Sequence, residues 1–205
     1  MEIQLALDRL SIEEAIRITR EAEKSIDLIE VGTSLIKEFG MEAVSKIREA
    51  FPNKTIVGDI KTIDNAIYEF DLCFNAGGDI ATVMGVSSIH TIDACLNTAA
   101  KHGKKAMIDL LNTTIEQRVS LFQYKEAIFC EHISKDEQEM AGRNNMDKVS
   151  FVPSLEWAVA GGITIDSIEN MIESESRPHI VIIGSAITKA DHPGKIAAAF
   201  KEIIG

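Results

Sequence analysis

A cadence constrains this chain more than any single residue does. Short β-branched apolar runs alternate with longer stretches of helical period, one run roughly every two dozen residues from end to end. The runs are IQLAL from Ile3, DLIEV from Asp27, TIVGD from Thr55, DIATV from Asp79, KAMID from Lys105, AIFCE from Ala127, WAVAG from Trp157 and IVIIG from Ile180. Several are apolar almost without interruption, which suits strands covered on both faces, as in a parallel sheet. The stretches between them read as amphipathic helices. Ser11 and Glu14 form an S-x-x-E capping box ahead of one, and Thr164 precedes Ile165, Ile168 and Ile172 along one face of another.

Repeated strand–helix units predict one α/β domain over residues 1–205, closed as a single (β/α)8 TIM barrel. An open, doubly wound sheet is the competing topology, but no G-x-G-x-x-G turn follows the first run. A chain of 205 residues lies near the lower size limit for such a barrel, so its loops must be short. A neighbouring subunit is then expected to help close the active face.

Charge narrows the partners. The formal net charge of −11 argues against nucleic acid, which needs clustered Lys and Arg. A small phosphate ester remains compatible, because local amides and a metal can hold it whatever the total charge. Cys73, Cys95 and Cys130 show no C-x-x-C spacing and read as buried thiols in a reducing compartment. The opening MEIQLALDRL meets Glu2 and Asp8 before any apolar run is long enough for a signal peptide or membrane span. A cytoplasmic location away from membranes is expected.

In a barrel of this kind the C-terminal ends of the strands converge on the face where chemistry is done. Those ends carry Asp8, Glu30, Asp59 with Lys61, Thr82, Asp109, His132, the Gly161-Gly162 pair and Gly184-Ser185. Glu30 and Asp59 end adjacent strands and can share a hard cation such as Mg²⁺, or each can pair with a nearby base. Asp59, Lys61 and Asp64 form D-x-K-x-x-D, in which flanking carboxylates keep the lysine protonated beside a developing oxyanion. The same spacing also describes a solvated ion pair at a helix start. His132 alone of the five histidines ends a strand, where it can move a proton or serve as a partly buried structural residue. The glycine pairs suit a phosphate cradle on the last two strands, although glycine also serves tight turns.

With these motifs in order (LALD, DLIEVGT, GDIKTID, the EH-to-DEQ segment, VAGGI and IIGSAIT), the sequence resembles the orotidine 5′-phosphate decarboxylase suprafamily. Within it the likeness is to the family of 3-hexulose-6-phosphate synthases and 3-keto-L-gulonate-6-phosphate decarboxylases. The resemblance implies Mg²⁺ on Glu30 and Asp59, Lys61 near an enediolate oxygen, and Asp64 contributed across a homodimer interface. It further implies that His132 moves protons and that Asp8 touches substrate hydroxyls. Asp109 and Lys135 are also expected at the substrate, with phosphate on Gly161, Gly162, Gly184 and Ser185. Asp109, Ala160 and Ser185 follow the synthase pattern, whereas Lys135 stands where decarboxylases place a basic arginine. The expected activity is an Mg²⁺-dependent aldol condensation of formaldehyde with D-ribulose 5-phosphate. Decarboxylation of the ketogulonate phosphate is the alternative, and a non-catalytic phosphosugar-binding barrel a third possibility.

Overall fold

The structure is a computed structural model that describes residues 1–141, 152–173 and 177–205. Its strands are β1 (Glu2–Leu7), β2 (Leu28–Val31), β3 (Thr55–Thr62), β4 (Ile80–Met84), β5 (Lys105–Asp109), β6 (Ile128–His132), β7 (Glu156–Ala160) and β8 (Ile180–Ile183). The helices between them are α1 (Ile12–Ala22), α2 (Thr33–Phe39), α3 (Met41–Ala50), α4 (Ala66–Asn75), α5 (Ile89–His102) and α6 (Ile115–Leu121). They continue with α7 (Lys135–Ala141), α8 (Ile165–Glu173), α9 (Ser185–Thr188) and α10 (Pro193–Ile204). Each strand runs parallel to the next in chain order, and β8 pairs with β1 to close the ring. The closed barrel is therefore the topology adopted, and every apolar run named above supplies a strand.

The alternation along β1 shows why those runs look apolar throughout. Ile3, Leu5 and Leu7 face outward into a core shared with Ile18 of α1, Val44 and Ile47 of α3 and Phe200 of α10. Ala6 points the other way, into an interior plug with Leu28, Val57, Met107, Cys130 and Ile182. A second outer core packs Phe70 and Cys73 of α4 against Phe129 and Trp157. Burying each large apolar side chain contributes roughly 1.5–3 kcal/mol, so both faces of every strand stabilise the ring.

Local signals set the helix ends. Ser11 Oγ accepts the Glu14 N–H at 3.2 Å, and Glu14 Oε2 accepts the Ser11 N–H at 3.0 Å, completing the capping box. Thr164 Oγ1 accepts from Ser167 N–H at 3.3 Å at the start of α8. The three cysteines are free and buried. Among the described residues no helix is long and apolar enough to cross a membrane.

The regular geometry gives way at the C-terminal rim. β3 continues to Thr62, but its register with β4 shifts between Gly58 and Thr62, so Asp59 to Lys61 bulge from the ladder. Arg9, Lys61, Asn65 and Asn112 all take positive φ, and all lie at or just beyond the C-terminal ends of strands. Backbone of this kind costs energy and concentrates at working sites.

Candidate active site

A cavity of about 560 Å³ opens at this rim and is lined by Asp8, Glu30, Asp59, Lys61, Asp109, His132 and the glycines that end β7 and β8. The strand-end residues named from the sequence thus meet in one place; Asp64 does not line it.

Lys61 is the hub. Its φ of 47° turns the side chain back across the barrel mouth, and its N–H is held by Thr82 Oγ1 at 2.9 Å. The ammonium sits 3.1 Å from Asp59 Oδ1 and 2.9 Å from Asp109 Oδ2. Burial works against the charge, but the Asp59 and Asp109 carboxylates outweigh it and hold the lysine protonated well above its ordinary range.

Asp109 joins Lys61 to His132. Its Oδ2 accepts from Lys61 and also from His132 Nδ1 at 2.9 Å, while Oδ1 accepts the Leu111 N–H at 2.9 Å. Burial alone would raise this carboxyl; the bond and charge of His132, and then Lys61, hold it well below the usual carboxylate range. An ionised carboxylate only accepts, so in the neutral ring Nδ1 carries the hydrogen and Nε2 is left to exchange a proton with the cavity. Sequence placed Asp109 at the substrate. In the structure it lines the cavity, with Oδ2 accepting from Lys61 and His132 and Oδ1 from the Leu111 N–H.

Glu30 and Asp59 supply the oxygen pair. Glu30 Oε2 accepts from Gln4 Nε2 at 2.5 Å. Burial, followed by the neighbouring Asp59 charge, pushes the Glu30 carboxyl far above the usual range. Asp59 is fixed by Thr33 Oγ1 on Oδ2 at 2.5 Å and by Thr82 Oγ1 on Oδ1 at 2.9 Å. Among the described residues no three His, Cys, Asp or Glu side chains converge as a metal cage. A carboxylate pair is nonetheless the donor set that Mg²⁺ takes, with water and substrate completing its shell. Two buried carboxylates side by side, with the Glu30 charge opposed by burial and by Asp59, fit a hard divalent cation.

Asp8 stands at the cavity wall, its Oδ1 accepting from Ser34 N–H at 3.1 Å and Ser34 Oγ at 2.6 Å. A Cβ on Gly32 would fall 2.4 Å from that carboxyl, which explains the glycine in DLIEVGT. Gly161 and Gly162 have φ of 105° and 65°, and a Cβ on Gly161 would lie 2.5 Å from the Ile133 carbonyl. Only glycine lets that backbone pass against the residue that follows β6 while lining the cavity. Gly184 and Ser185 line the cavity beside them, at the end of the neighbouring strand β8 and the start of α9.

One expected residue stands apart, and one is not described. Asp64 is exposed, accepts its neighbour's Asn65 N–H at 2.7 Å and does not line its own chain's cavity. Lys135 begins α7, and its side chain lies outside the described residues. The structure also adds residues that strand-end reading passed over. Thr33 anchors Asp59 from one residue beyond the Gly32 turn, and Arg9, Lys37 and Lys189 bring cations to the mouth.

The sequence profile of the orotidine 5′-phosphate decarboxylase / HUMPS family matches residues 1–200. A relative named 3-hexulose-6-phosphate synthase, from Bacillus subtilis (strain 168), is 35% identical over 210 residues, covering 100% of this chain and 99% of the relative. A protein of the same name from Methylomonas aminofaciens is 33% identical over 98% of this chain and 97% of its own. The crystal structure of 3-hexulose-6-phosphate synthase from Salmonella typhimurium superposes with a TM-score of 0.88 at 32% identity, covering 100% of this chain and 98% of that one. That of 3-keto-L-gulonate-6-phosphate decarboxylase from Vibrio cholerae O1 biovar El Tor str. N16961 gives 0.82 at 28%, covering 99% and 96%. Matched along nearly its whole length, the chain belongs to the orotidine 5′-phosphate decarboxylase / HUMPS family.

Proposed function

We propose that the protein is a 3-hexulose-6-phosphate synthase, a lyase that joins formaldehyde to D-ribulose 5-phosphate reversibly through an enediolate. One observation carries the reading: a single buried carboxylate, Asp109, fixes both a proton-carrying imidazole and a permanently charged ammonium beside an acidic oxygen pair. Removing a proton from carbon next to a carbonyl needs that combination, a base and a preorganised positive charge where the oxyanion forms. The names of the relatives above 30% identity support the aldol direction.

Glu30 and Asp59 would hold Mg²⁺, which when bound supplies Lewis-acid polarisation of the ketose carbonyl and its neighbouring hydroxyl. His132 Nε2 takes a proton from C1 of the ketose, while Nδ1–H stays hydrogen-bonded to Asp109, which fixes the ring. The C–H electron pair passes into the enediolate, and the Lys61 ammonium faces the oxygen where negative charge collects. C1 then attacks formaldehyde: the enediolate electron pair forms the carbon–carbon bond as the ketose C2=O is restored, the formaldehyde π bond breaks onto its own oxygen, and that oxygen takes the proton back from His132. Asp8 faces the substrate hydroxyls. Gly161, Gly162, Gly184 and Ser185 receive the phosphate, with the Lys189 ammonium at the same wall.

The working unit in this reading is a cytoplasmic homodimer in which Asp64 reaches the neighbouring site. Asp64 is flanked by Ile63, Ile67 and Tyr68, which are 55%, 56% and 60% exposed, a density of apolar surface that a second copy would cover.

The decarboxylase reading is favoured by one feature, the basic Lys135 at the head of α7. One assay separates the two. The protein is incubated with Mg²⁺ and either D-ribulose 5-phosphate plus formaldehyde or 3-keto-L-gulonate 6-phosphate. Formaldehyde consumption outpacing CO₂ release supports the synthase; the reverse overturns it, and binding of either phosphosugar without turnover leaves a non-catalytic barrel.

A further inference from the structure

Gln4 is an anomaly in the barrel interior. It is fully buried, and its register partners Leu28 on β2 and Ile182 on β8 belong to the apolar plug. Its amide nitrogen donates to Glu30 Oε2, two rungs up the neighbouring strand, and among the described residues it is the one hydrogen-bond donor to that carboxylate. Its amide oxygen, Oε1, is buried with no hydrogen-bond partner. An orphaned buried acceptor is a standing cost to the fold, and an apolar side chain of the same length would remove it. Half of this amide thus destabilises the plug, while the other half touches one atom of the oxygen pair. A carboxylate that ligates a cation is ionised and only accepts, so in that state the NH₂ group faces Glu30, the orientation found here.

We propose that Gln4 is a positioning residue for Glu30, holding Oε2 so that the other oxygen, Oε1, is presented to the divalent cation. The inference rests on the reading of Glu30 and Asp59 as the Mg²⁺ pair. Oriented carboxylate ligands depend on such outer hydrogen bonds, whose loss typically weakens metal binding about 10–100-fold. Gln4 touches neither substrate nor cation and acts only through Glu30.

The test is calorimetric titration of Mg²⁺ into metal-free wild-type protein, Gln4→Met and Gln4→Leu, with thermal melting of each in EDTA. Met keeps the unbranched length without a polar atom; Leu is the second variant if Met packs badly. The expected result is Mg²⁺ binding at least about tenfold weaker in the variants, with metal-free melting temperatures equal to or above wild type, since the orphaned acceptor is gone. A purely packing role would move the melting temperature down and leave the affinity alone. Equal Mg²⁺ affinity in a folded variant overturns the role of Gln4 while the metal reading stands. Wild-type protein that does not titrate with Mg²⁺ overturns both. Failure of both variants to fold also overturns it, by showing that Gln4 holds the barrel.

Discussion

Lys61→Ala is the most informative single change. The ammonium lies 3.1 Å from Asp59 and 2.9 Å from Asp109 and is aimed from a backbone held at φ 47°. Removing one preorganised donor facing a developing oxyanion costs about 3 kcal/mol in the barrier, which is about a hundredfold in rate. The same change leaves two buried carboxylates without their shared counter-ion. Breaking a buried pair costs roughly 3–5 kcal/mol, and the partial exposure of Lys61 places the loss at the low end of that range. The variant should therefore melt lower in EDTA and recover part of the difference with Mg²⁺. Formaldehyde consumption at saturating ketose phosphate measures the rate, and circular dichroism confirms the fold. Lys61→Arg should not rescue, because a broad guanidinium does not replace a point charge between two carboxylates. A folded Lys61→Ala protein within about fivefold of wild-type turnover would refute the reasoning, since that spares more than 2 kcal/mol of the assigned barrier effect.

Asp109→Asn should lower turnover at least about a hundredfold by leaving His132 in the wrong tautomer and Lys61 half-paired. It should also change the acid response. The folded carboxyl of Asp109 titrates below its unfolded value, so its stabilisation is complete above about pH 4 and is lost as pH falls through the lowered value. Denaturation of wild type and Asp109→Asn from pH 7 downward should show a stability gap that narrows only at the acid end; a constant gap would contradict this. Gly161→Ala forces a Cβ to within 2.5 Å of the Ile133 carbonyl at a φ of 105° and should cost about 1–3 kcal/mol. KM for the phosphosugar should rise more than kcat falls, and an unchanged KM would remove the loop from phosphate binding. Arg118→Met leaves Glu131 buried without its two-pronged partner, now 2.7 and 2.9 Å away, and should cost roughly 3 kcal/mol in urea denaturation. An unshifted midpoint would show that the pair is replaceable.

The barrel was legible because strands buried on both faces leave continuous apolar runs, and because the residue that ends each run is forced to the rim. Glu30, Asp59 and His132 could be placed from that rule alone. What sequence could not show is how β3 ends. The bulge from Asp59 to Lys61 depends on the register with β4, and a lysine at positive φ has no signature in a string of letters. Asp109 was legible as a strand-end carboxylate, but its double engagement arises only when the barrel brings Lys61 from β3 and His132 from β6 to the end of β5. Thr33 and Gln4 were missed for opposite reasons. Thr33 lies just past a strand end, where it reads as a helix start, and Gln4 lies early in a strand, where a polar residue reads as an interruption. Orphaned buried polar atoms are a property of packing, which no periodicity reports.

The most direct measurement is exchange of the C1 protons of D-ribulose 5-phosphate with solvent deuterium, followed by proton NMR in the absence of formaldehyde. Exchange with wild-type protein and Mg²⁺, at least about a hundredfold slower with His132→Gln and with Lys61→Ala, is the predicted result. Undiminished exchange with His132→Gln, or no exchange from a protein that consumes formaldehyde, would contradict the assignment of proton transfer to this imidazole.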